Sequence, residues 1–317
     1  MRKHAFSERD MSGVFAVPSL ARRNDPNRTV DIAANQRVVD HIARGGITRL
    51  IYGGNACLQQ VTLAEYEQLL EWLARLSDDL LCIPSAGPSF GRAMDQAPLL
   101  RRHGFPVVMM LPNSDPRDAL GMEAGIQEFV AAAGMPVMVY LNDEANFGVN
   151  RDDGLDAIAR LVDSNACVAV KYAVARMDPV DDPYLADLLR RVERKKVGSG
   201  MGERPAVVHL RDWKIAGYTS GLACIAPQLG QALFTSCLSG DYSRAEEIRR
   251  RFLPLEDLRD AWGASRVLQA AIELAGIATT GSVPPFQSPL GAGRIPELLK
   301  AVQALQKDAA GASIASR

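Results

Sequence analysis

The chain has 317 residues, of which 47% are hydrophobic and 23% charged, and its formal net charge is −1. These proportions are typical of a globular protein with one sizeable core or two smaller ones. A net charge so close to zero gives no electrostatic basis for binding nucleic acid or an anionic membrane surface. The longest apolar runs have the length of strands, which is too short to cross a bilayer.

The N-terminal sequence, MRKHAFSERD, is polar and lacks the apolar core of a signal peptide. The five cysteines are an odd number without the paired spacing of a metal site. Both features favour a cytoplasmic protein with reduced thiols. No zinc-protease, CxxC, EF-hand or phosphate-loop pattern occurs, so the sequence predicts neither a metal nor any other cofactor.

From residue 13 onward, short apolar runs alternate with amphipathic stretches. The runs are predicted strands at 13–18, 48–53, 79–86, 106–111, 135–140, 166–171, 195–200 and 216–223. The stretches between them are predicted helices near 31–44, 62–76, 91–103, 117–133, 152–163, 183–193 and 203–213. Eight strands separated by helices predict a closed parallel (β/α)8 TIM barrel, with an open doubly wound sheet as the competing architecture.

Helix-end signals support this division of the chain. Asp31 precedes the first helix, and Thr62 with Glu65 three residues later forms a capping box. Glycines follow three helices, at Gly45-Gly46, Gly104 and Gly134, as expected where a helix ends in a left-handed residue.

After residue 226 the strand pattern stops, and three helical stretches are predicted at 226–239, 241–273 with a break near Pro254, and 293–308. We therefore expect an N-terminal segment (1–12), a barrel (13–225) and a C-terminal helical region (226–317) packed on the barrel as one structural unit. Such a region either covers the barrel or supplies an oligomer interface.

Two strand ends carry side chains that attract functional interest. The run ACVAVK ends in Lys171, and the run MPVMVY ends in Tyr140. A lysine at the end of a buried strand is costly unless its amine is used. Taken singly, the lysine could extend to solvent and the tyrosine could be core material. In a parallel barrel, however, both emerge at the carboxyl-end rim, where barrel enzymes hold their active sites.

An amine beside a phenol is suited to Schiff-base chemistry. An unprotonated amine attacks a ketone, and an apolar wall such as residues 166–170 disfavours the charged ammonium. The resulting iminium stabilises a carbanion on the adjacent carbon. Tyr140 is the candidate acid and base for the proton transfers that form the imine with Lys171.

Glycine-rich turns near the same rim are candidate substrate-binding elements. The turn after the second strand can point main-chain N–H groups at a carboxylate, although an ordinary strand-to-helix turn has the same composition. The predicted substrate-binding residues are Gly53, Gly54, Asn55, Ser199, Gly200 and Gly221.

The order of these features resembles the dihydrodipicolinate synthase / N-acetylneuraminate lyase family of class I aldolases, over about residues 13–305. The segment GGNACLQQVTLAEYEQLL sits where the family has its carboxylate-binding loop and the following helix. The runs SGMGE (199–203) and SGLACIAP (220–227) are similar to its glycine turns. The resemblance implies a (β/α)8 barrel, Lys171 as the Schiff-base lysine, Tyr140 as its tyrosine, a small 2-oxo acid substrate and a homo-oligomer, either a dimer or a tetramer.

Three positions depart from the synthases of that family. The carboxylate loop reads GNAC at 54–57, in place of hydroxyls and a glutamate. The segment 111–116, LPNSDP, lacks the tyrosine that the synthases offer to a neighbouring subunit. After Tyr140 the chain reads LNDEANFGVNR, without an arginine at the expected place. We therefore expect a lyase acting on a pyruvate-like 2-oxo acid that is not a true dihydrodipicolinate synthase.

Two alternative functions stay open. One is a keto-deoxy sugar acid dehydratase or aldolase, similar to 5-dehydro-4-deoxyglucarate dehydratase, in which Asn142, Asp143 and Asn146 contact substrate hydroxyls; a solvated loop would have the same composition. The other is a barrel that has lost catalysis and binds a 2-oxo acid.

Overall fold

Eight parallel strands close into one barrel in the computed structural model, which describes residues 1–315. Each strand pairs with its neighbours in chain order, and the first pairs with the last, so no sheet edge remains open. The strands are β1 (Val14–Ala16), β2 (Arg49–Tyr52), β3 (Leu81–Ala86), β4 (Val108–Met110), β5 (Val137–Leu141), β6 (Cys167–Tyr172), β7 (Val197–Ser199) and β8 (Gly217–Ser220). The predicted (β/α)8 barrel is confirmed, and the open doubly wound sheet is excluded.

Helices precede, separate and follow the strands. A short helix, α1 (Glu8–Met11), precedes the barrel. The helices between strands are α2 (Ile32–Arg44), α3 (Leu63–Ala74), α4 (Phe90–His103), α5 (Ala119–Ala133), α6 (Arg151–Asp163), α7 (Pro183–Arg191) and α8 (Ala206–Arg211). After β8 come α9 (Pro227–Leu238), α10 (Tyr242–Trp262), α11 (Ala264–Leu274) and α12 (Ile295–Ala315). No helix of residues 1–315 is long and apolar enough to cross a membrane.

The predicted helix ends are present as hydrogen-bonded caps. The Asp31 carboxylate accepts from the Ala34 amide, and Thr62 and Glu65 form a reciprocal capping box. Gly104 adopts a left-handed conformation with φ of 63°, which allows the C-terminal end of α4 to turn back toward β4. These caps fix where each helix stops and so where each strand begins.

The helix break predicted near Pro254 is wrong. Pro254 lies inside α10, which runs without interruption to Trp262. An internal proline removes one helical hydrogen bond and costs about 3 kcal/mol. Phe252 and Leu255, next to it, are buried, and their burial offsets that cost. The helix ends instead at Gly263, whose φ of 99° only glycine adopts readily.

The course of α10 matters for the site, because an unbroken helix carries its last turns to the open end of the barrel. Its residues Glu256 and Arg259 are buried there, although both are charged. The C-terminal helical region thus contributes side chains to the barrel mouth as well as a packed outer layer.

Candidate active site

Lys171 and Tyr140 lie side by side on adjacent strands. They are direct partners in the pairing of β5 with β6, so their side chains leave the sheet on the same face. The Lys171 Nζ atom lies 3.8 Å from the centroid of the Tyr140 ring. Lys171 is only 5% exposed. The barrel therefore holds a nearly enclosed amine against an aromatic phenol.

Both side chains line a cavity of about 220 Å³. Its remaining walls come from segments that follow the strands at their carboxyl ends, and from α10. The lining residues are Val17, Gly54, Asn55, Tyr140, Lys171, Gly200, Met201, Gly202, Thr219, Gly221, Glu256, Arg259, Asp260 and Ala264. A volume below the 300–1,000 Å³ typical of drug-sized ligands suits a small metabolite.

Gly200 leaves the space that the Lys171 side chain occupies. A Cβ atom on Gly200 would stand 2.7 Å from the Ala173 Cβ and 3.0 Å from the Lys171 Cγ. Separations this short displace one partner, and the surrounding strand backbone cannot yield easily. The Lys171 side chain can therefore keep this position only if residue 200 is glycine.

The predicted carboxylate loop lies at the cavity wall, with its side-chain amide already engaged. Asn55 Nδ2 donates to the Val17 carbonyl at 2.8 Å. Asn55 Oδ1 accepts from Arg259 Nη2 at 3.4 Å. The amide side chain thus ties together the ends of β1 and β2 and the C-terminal helix α10.

Two of the predicted substrate-binding residues stand outside the cavity lining. A Cβ on Gly53 would meet the Met109 side chain at 2.6 Å, so this glycine is packed against β4. The Ser199 hydroxyl shares a hydrogen bond of 2.8 Å with His209 Nδ1. That contact aims the Ser199 side chain at α8, in the helical layer outside the barrel.

A buried charged cluster that sequence reasoning missed stands at the mouth. Arg259 Nη1 donates to both carboxylate oxygens of Glu256, at 2.8 and 3.0 Å. Glu203 is fully buried beside this pair, and its Oε1 accepts from the Ser220 hydroxyl. Burial, followed by the charge of Glu256, raises the pKa of Glu203 well above its usual range. This environment favours the protonated, neutral form of the Glu203 carboxyl group.

Little in the sequence distinguishes this cluster. Glu256 and Arg259 are three residues apart on a helix, as are the exposed partners Arg244 and Glu247 on the same helix. Such pairs are ordinary on helix surfaces. The one available signal was the position of Glu203 at the end of the SGMGE run, next to a predicted rim turn.

The polar residues that follow Tyr140 are used inside their own turn. Asn146 Oδ1 accepts from the main-chain amides of Asn142 and Asp143, and Asp143 Oδ1 accepts from the amide of Ala145. None of these side chains belongs to the cavity lining. Among residues 1–315, no three His, Cys, Asp or Glu side chains are grouped so that they could hold a metal ion.

A closed parallel barrel with an amine and a phenol at the carboxyl end of its strands has the architecture of a (β/α)8 enzyme. The sequence profile of the dihydrodipicolinate synthetase family matches residues 11–305, and the chain belongs to that family. Members of this family are lyases of the aldolase type, so this chain is an enzyme of that broad class.

Individual relatives resemble the chain in sequence or in fold. The chain is 26% identical over 270 residues to 4-hydroxy-tetrahydrodipicolinate synthase 1 of Streptomyces coelicolor, covering 82% of this chain and 83% of the relative. It is similar in fold to dihydrodipicolinate synthase from Oceanobacillus iheyensis, with a TM-score of 0.81, 19% identity and coverage of 94% and 98% of the two chains. It is also similar to PhdJ bound to a substrate intermediate, with a TM-score of 0.78, 16% identity and coverage of 96% and 98%.

Proposed function

We propose that this protein is a lyase that forms a Schiff base between Lys171 and a pyruvate-like 2-oxo acid. The observation that carries the proposal is the position of the Lys171 amine, enclosed in a small cavity with its Nζ 3.8 Å from the Tyr140 ring centroid. Burying a lysine amine costs free energy that is not lost when the amine stays in solvent. A buried lysine at this position therefore indicates a functional use.

In the first step, the Lys171 nitrogen attacks the ketone carbon and forms a carbinolamine. One proton passes from the attacking nitrogen to the oxygen and gives its hydroxyl group. Tyr140 donates the second proton, so the oxygen leaves as water, the C=N⁺ bond forms and Tyr140 becomes a phenolate. The iminium then withdraws electrons from the neighbouring carbon. That carbon can lose a proton to the Tyr140 phenolate and give an enamine. In aldol cleavage, the phenolate instead takes the proton of the hydroxyl on the next carbon, which departs as a carbonyl compound and leaves the same enamine.

The substrate carboxylate would be held at the Gly54–Asn55 turn, where glycine leaves main-chain N–H groups accessible. Gly200 and Gly221 would bound the same space from β7 and β8. We propose no direct substrate contact for Gly53 or Ser199, because neither lines the cavity.

The enamine supports aldol cleavage, aldol condensation or loss of water next to the carbonyl. Three polar residues, Thr219, Glu256 and Asp260, also line this cavity and suit a substrate that carries hydroxyl groups. They favour a hydroxylated 2-oxo acid as substrate, including a keto-deoxy sugar acid that is dehydrated. A lysine-pathway synthase is disfavoured, because the segment 111–116 contains no tyrosine to complete its proton relay.

Borohydride reduction in the presence of pyruvate tests the proposal. A stable adduct should appear on the peptide that contains Lys171, as found by mass mapping. The variant K171A should give no adduct, whereas K195A, which removes a half-exposed lysine just before β7, should behave as the wild type. Absence of any adduct across a panel of 2-oxo acids would show that the proposal is wrong.

We also propose a homo-oligomer, a dimer or tetramer, in the cytoplasm. Large apolar side chains are exposed on neighbouring helices, with Phe90 on α4 49% exposed and Leu120 on α5 73% exposed. Faces of this kind are commonly covered by another subunit. Analytical ultracentrifugation tests the proposal, and a single monomeric species at micromolar concentration would contradict it.

A further inference from the structure

Among residues 1–315, Arg259 is the one arginine that lines the cavity of Lys171, and the hydrogen bonding of its guanidinium is incomplete. A guanidinium carries five N–H donors. Nη1 is bound to Glu256, and Nη2 makes a single long contact, 3.4 Å to Asn55 Oδ1. Nε is buried and has no hydrogen-bond partner within the described part of the chain. Buried donors in native structures are nearly always satisfied, so this arrangement indicates a missing acceptor.

The location of Arg259 indicates what that acceptor is. Its Nη2 atom lies between the Asn55 turn after β2 and Gly221 after β8, the two segments that bound the proposed carboxylate position. A Cβ on Gly221 would stand 2.8 Å from Arg259 Nη2 and 3.0 Å from Asn55 Nδ2. Glycine at 221 therefore leaves room in which the guanidinium reaches the cavity.

Charge supports an anion at this place. The Arg259 guanidinium, which is always charged, and the Lys171 amine line one cavity of about 220 Å³. Glu256 is bound to Arg259, Asp260 accepts a hydrogen bond from Arg204 at 2.8 Å, and burial raises the pKa of Glu203. Two of the nearby acids are therefore paired with arginines, and the environment of the third, Glu203, favours its neutral form. A planar guanidinium also matches a carboxylate better than any other side chain does.

We propose that Arg259, delivered by the C-terminal helix α10, binds the carboxylate of the 2-oxo acid substrate. This inference rests on the proposed function. It assigns carboxylate binding to Arg259, because the GNAC loop offers no hydroxyl group for that purpose. Glu256 is the residue that orients the guanidinium. A purely structural role, in which the pair only fastens α10 to the barrel, predicts no effect on ligand binding.

The test uses oxamate, an amide analogue of pyruvate that cannot form an imine, so that binding is measured apart from Schiff-base chemistry. Calorimetric titration should show that R259Q binds oxamate about 10- to 100-fold more weakly than the wild type, as for a lost charge-assisted hydrogen bond. R259K should lie between them, because it keeps the charge without the planar fork. R250Q, which removes a 70% exposed arginine of the same helix, should match the wild type.

A second arm uses only the wild-type protein and so does not depend on how a variant folds. Oxamate should bind at least about 10-fold more tightly than its neutral ester, methyl oxamate, because only oxamate carries the anion. Equal affinities for acid and ester, no measurable oxamate binding, or unchanged oxamate affinity in folded R259Q would each overturn the inference. Borohydride trapping reports on Lys171 separately, so failure of the imine and failure of the Arg259 site are distinguishable.

Discussion

Lys171 and Tyr140 are direct cross-strand partners, and the lysine Nζ rests over the tyrosine ring at 3.8 Å from its centroid. Because parallel strands place paired residues on one face, the pairing of β5 with β6 alone brings amine and phenol together. No flexible loop is needed to assemble them. The pair is thus preorganised by the most rigid part of the fold.

Replacing the phenol by phenylalanine separates ring packing from proton transfer. Y140F keeps the ring beside Lys171 and removes only the hydroxyl. We expect the rate of borohydride-trappable imine formation with pyruvate to fall by about 10²- to 10⁴-fold, the usual contribution of a positioned acid or base. Oxamate affinity should stay within a few-fold of the wild type. An unchanged rate of trapping would show that Tyr140 performs no proton transfer.

Adding one methyl group at Gly200 should disturb the lysine. In G200A the new Cβ collides with Ala173 and with the Lys171 stem, so we expect a loss of about 1–3 kcal/mol in the free energy of unfolding. Imine formation should also slow. G91A is the matched control, because a Cβ on Gly91 meets nothing within 4 Å. Urea titration and trapping kinetics measure both effects, and equal behaviour of the two variants would contradict the prediction.

The buried acid Glu203 should make the folded state less stable as pH rises. Its raised pKa means that the folded protein keeps a proton that the unfolded chain releases above about pH 4.5. The free energy of unfolding contributed by this group therefore falls with increasing pH above that value. E203Q mimics the protonated acid and removes the effect. The melting temperature of E203Q relative to the wild type should be higher at pH 8 than at pH 5.5. An equal difference between the two proteins at both pH values would refute this.

Buried His209 should make the folded state less stable as pH falls, the opposite of the effect of Glu203. Burial lowers the pKa of His209 from 6.5 to about 4. Between these two pH values, the unfolded chain therefore binds a proton that the folded chain does not bind. The free energy of unfolding should therefore decrease by about 3 kcal/mol as pH falls from 6.5 to 4. H209Q should lack this decrease. Urea titrations of the wild type and of H209Q over the same pH range measure the difference in the free energy of unfolding. A wild-type curve that runs parallel to that of H209Q would contradict the prediction.

Periodicity made the barrel predictable. Eight short apolar runs with amphipathic stretches between them have few alternative folds, and the glycines and capping residues mark where elements meet. Pro254 shows the limit of local rules, because burial of its neighbours on α10 outweighs its intrinsic cost. The presence of a proline in the sequence does not show how deeply its neighbours are buried, so this compensation could not be predicted.

The candidate site was predictable only where it follows from strand order. Lys171 and Tyr140 are placed by the strands on which they lie, so their proximity could be inferred from the sequence. Arg259 is 88 residues beyond Lys171 and reaches the cavity only because an unbroken helix folds back over the barrel. Ser199 failed to reach the cavity because a one-residue step along a strand reverses the side-chain direction.

Because one wall of the reaction chamber is contributed by α10, the barrel and its chemistry are not separable modules. Under the proposed function, we expect that exchanging only this helix between relatives would alter substrate selection and leave Lys171 and Tyr140 in place. A transplant of the eight-stranded scaffold without its C-terminal helices would carry over Lys171 and leave behind Arg259, which lines the same cavity.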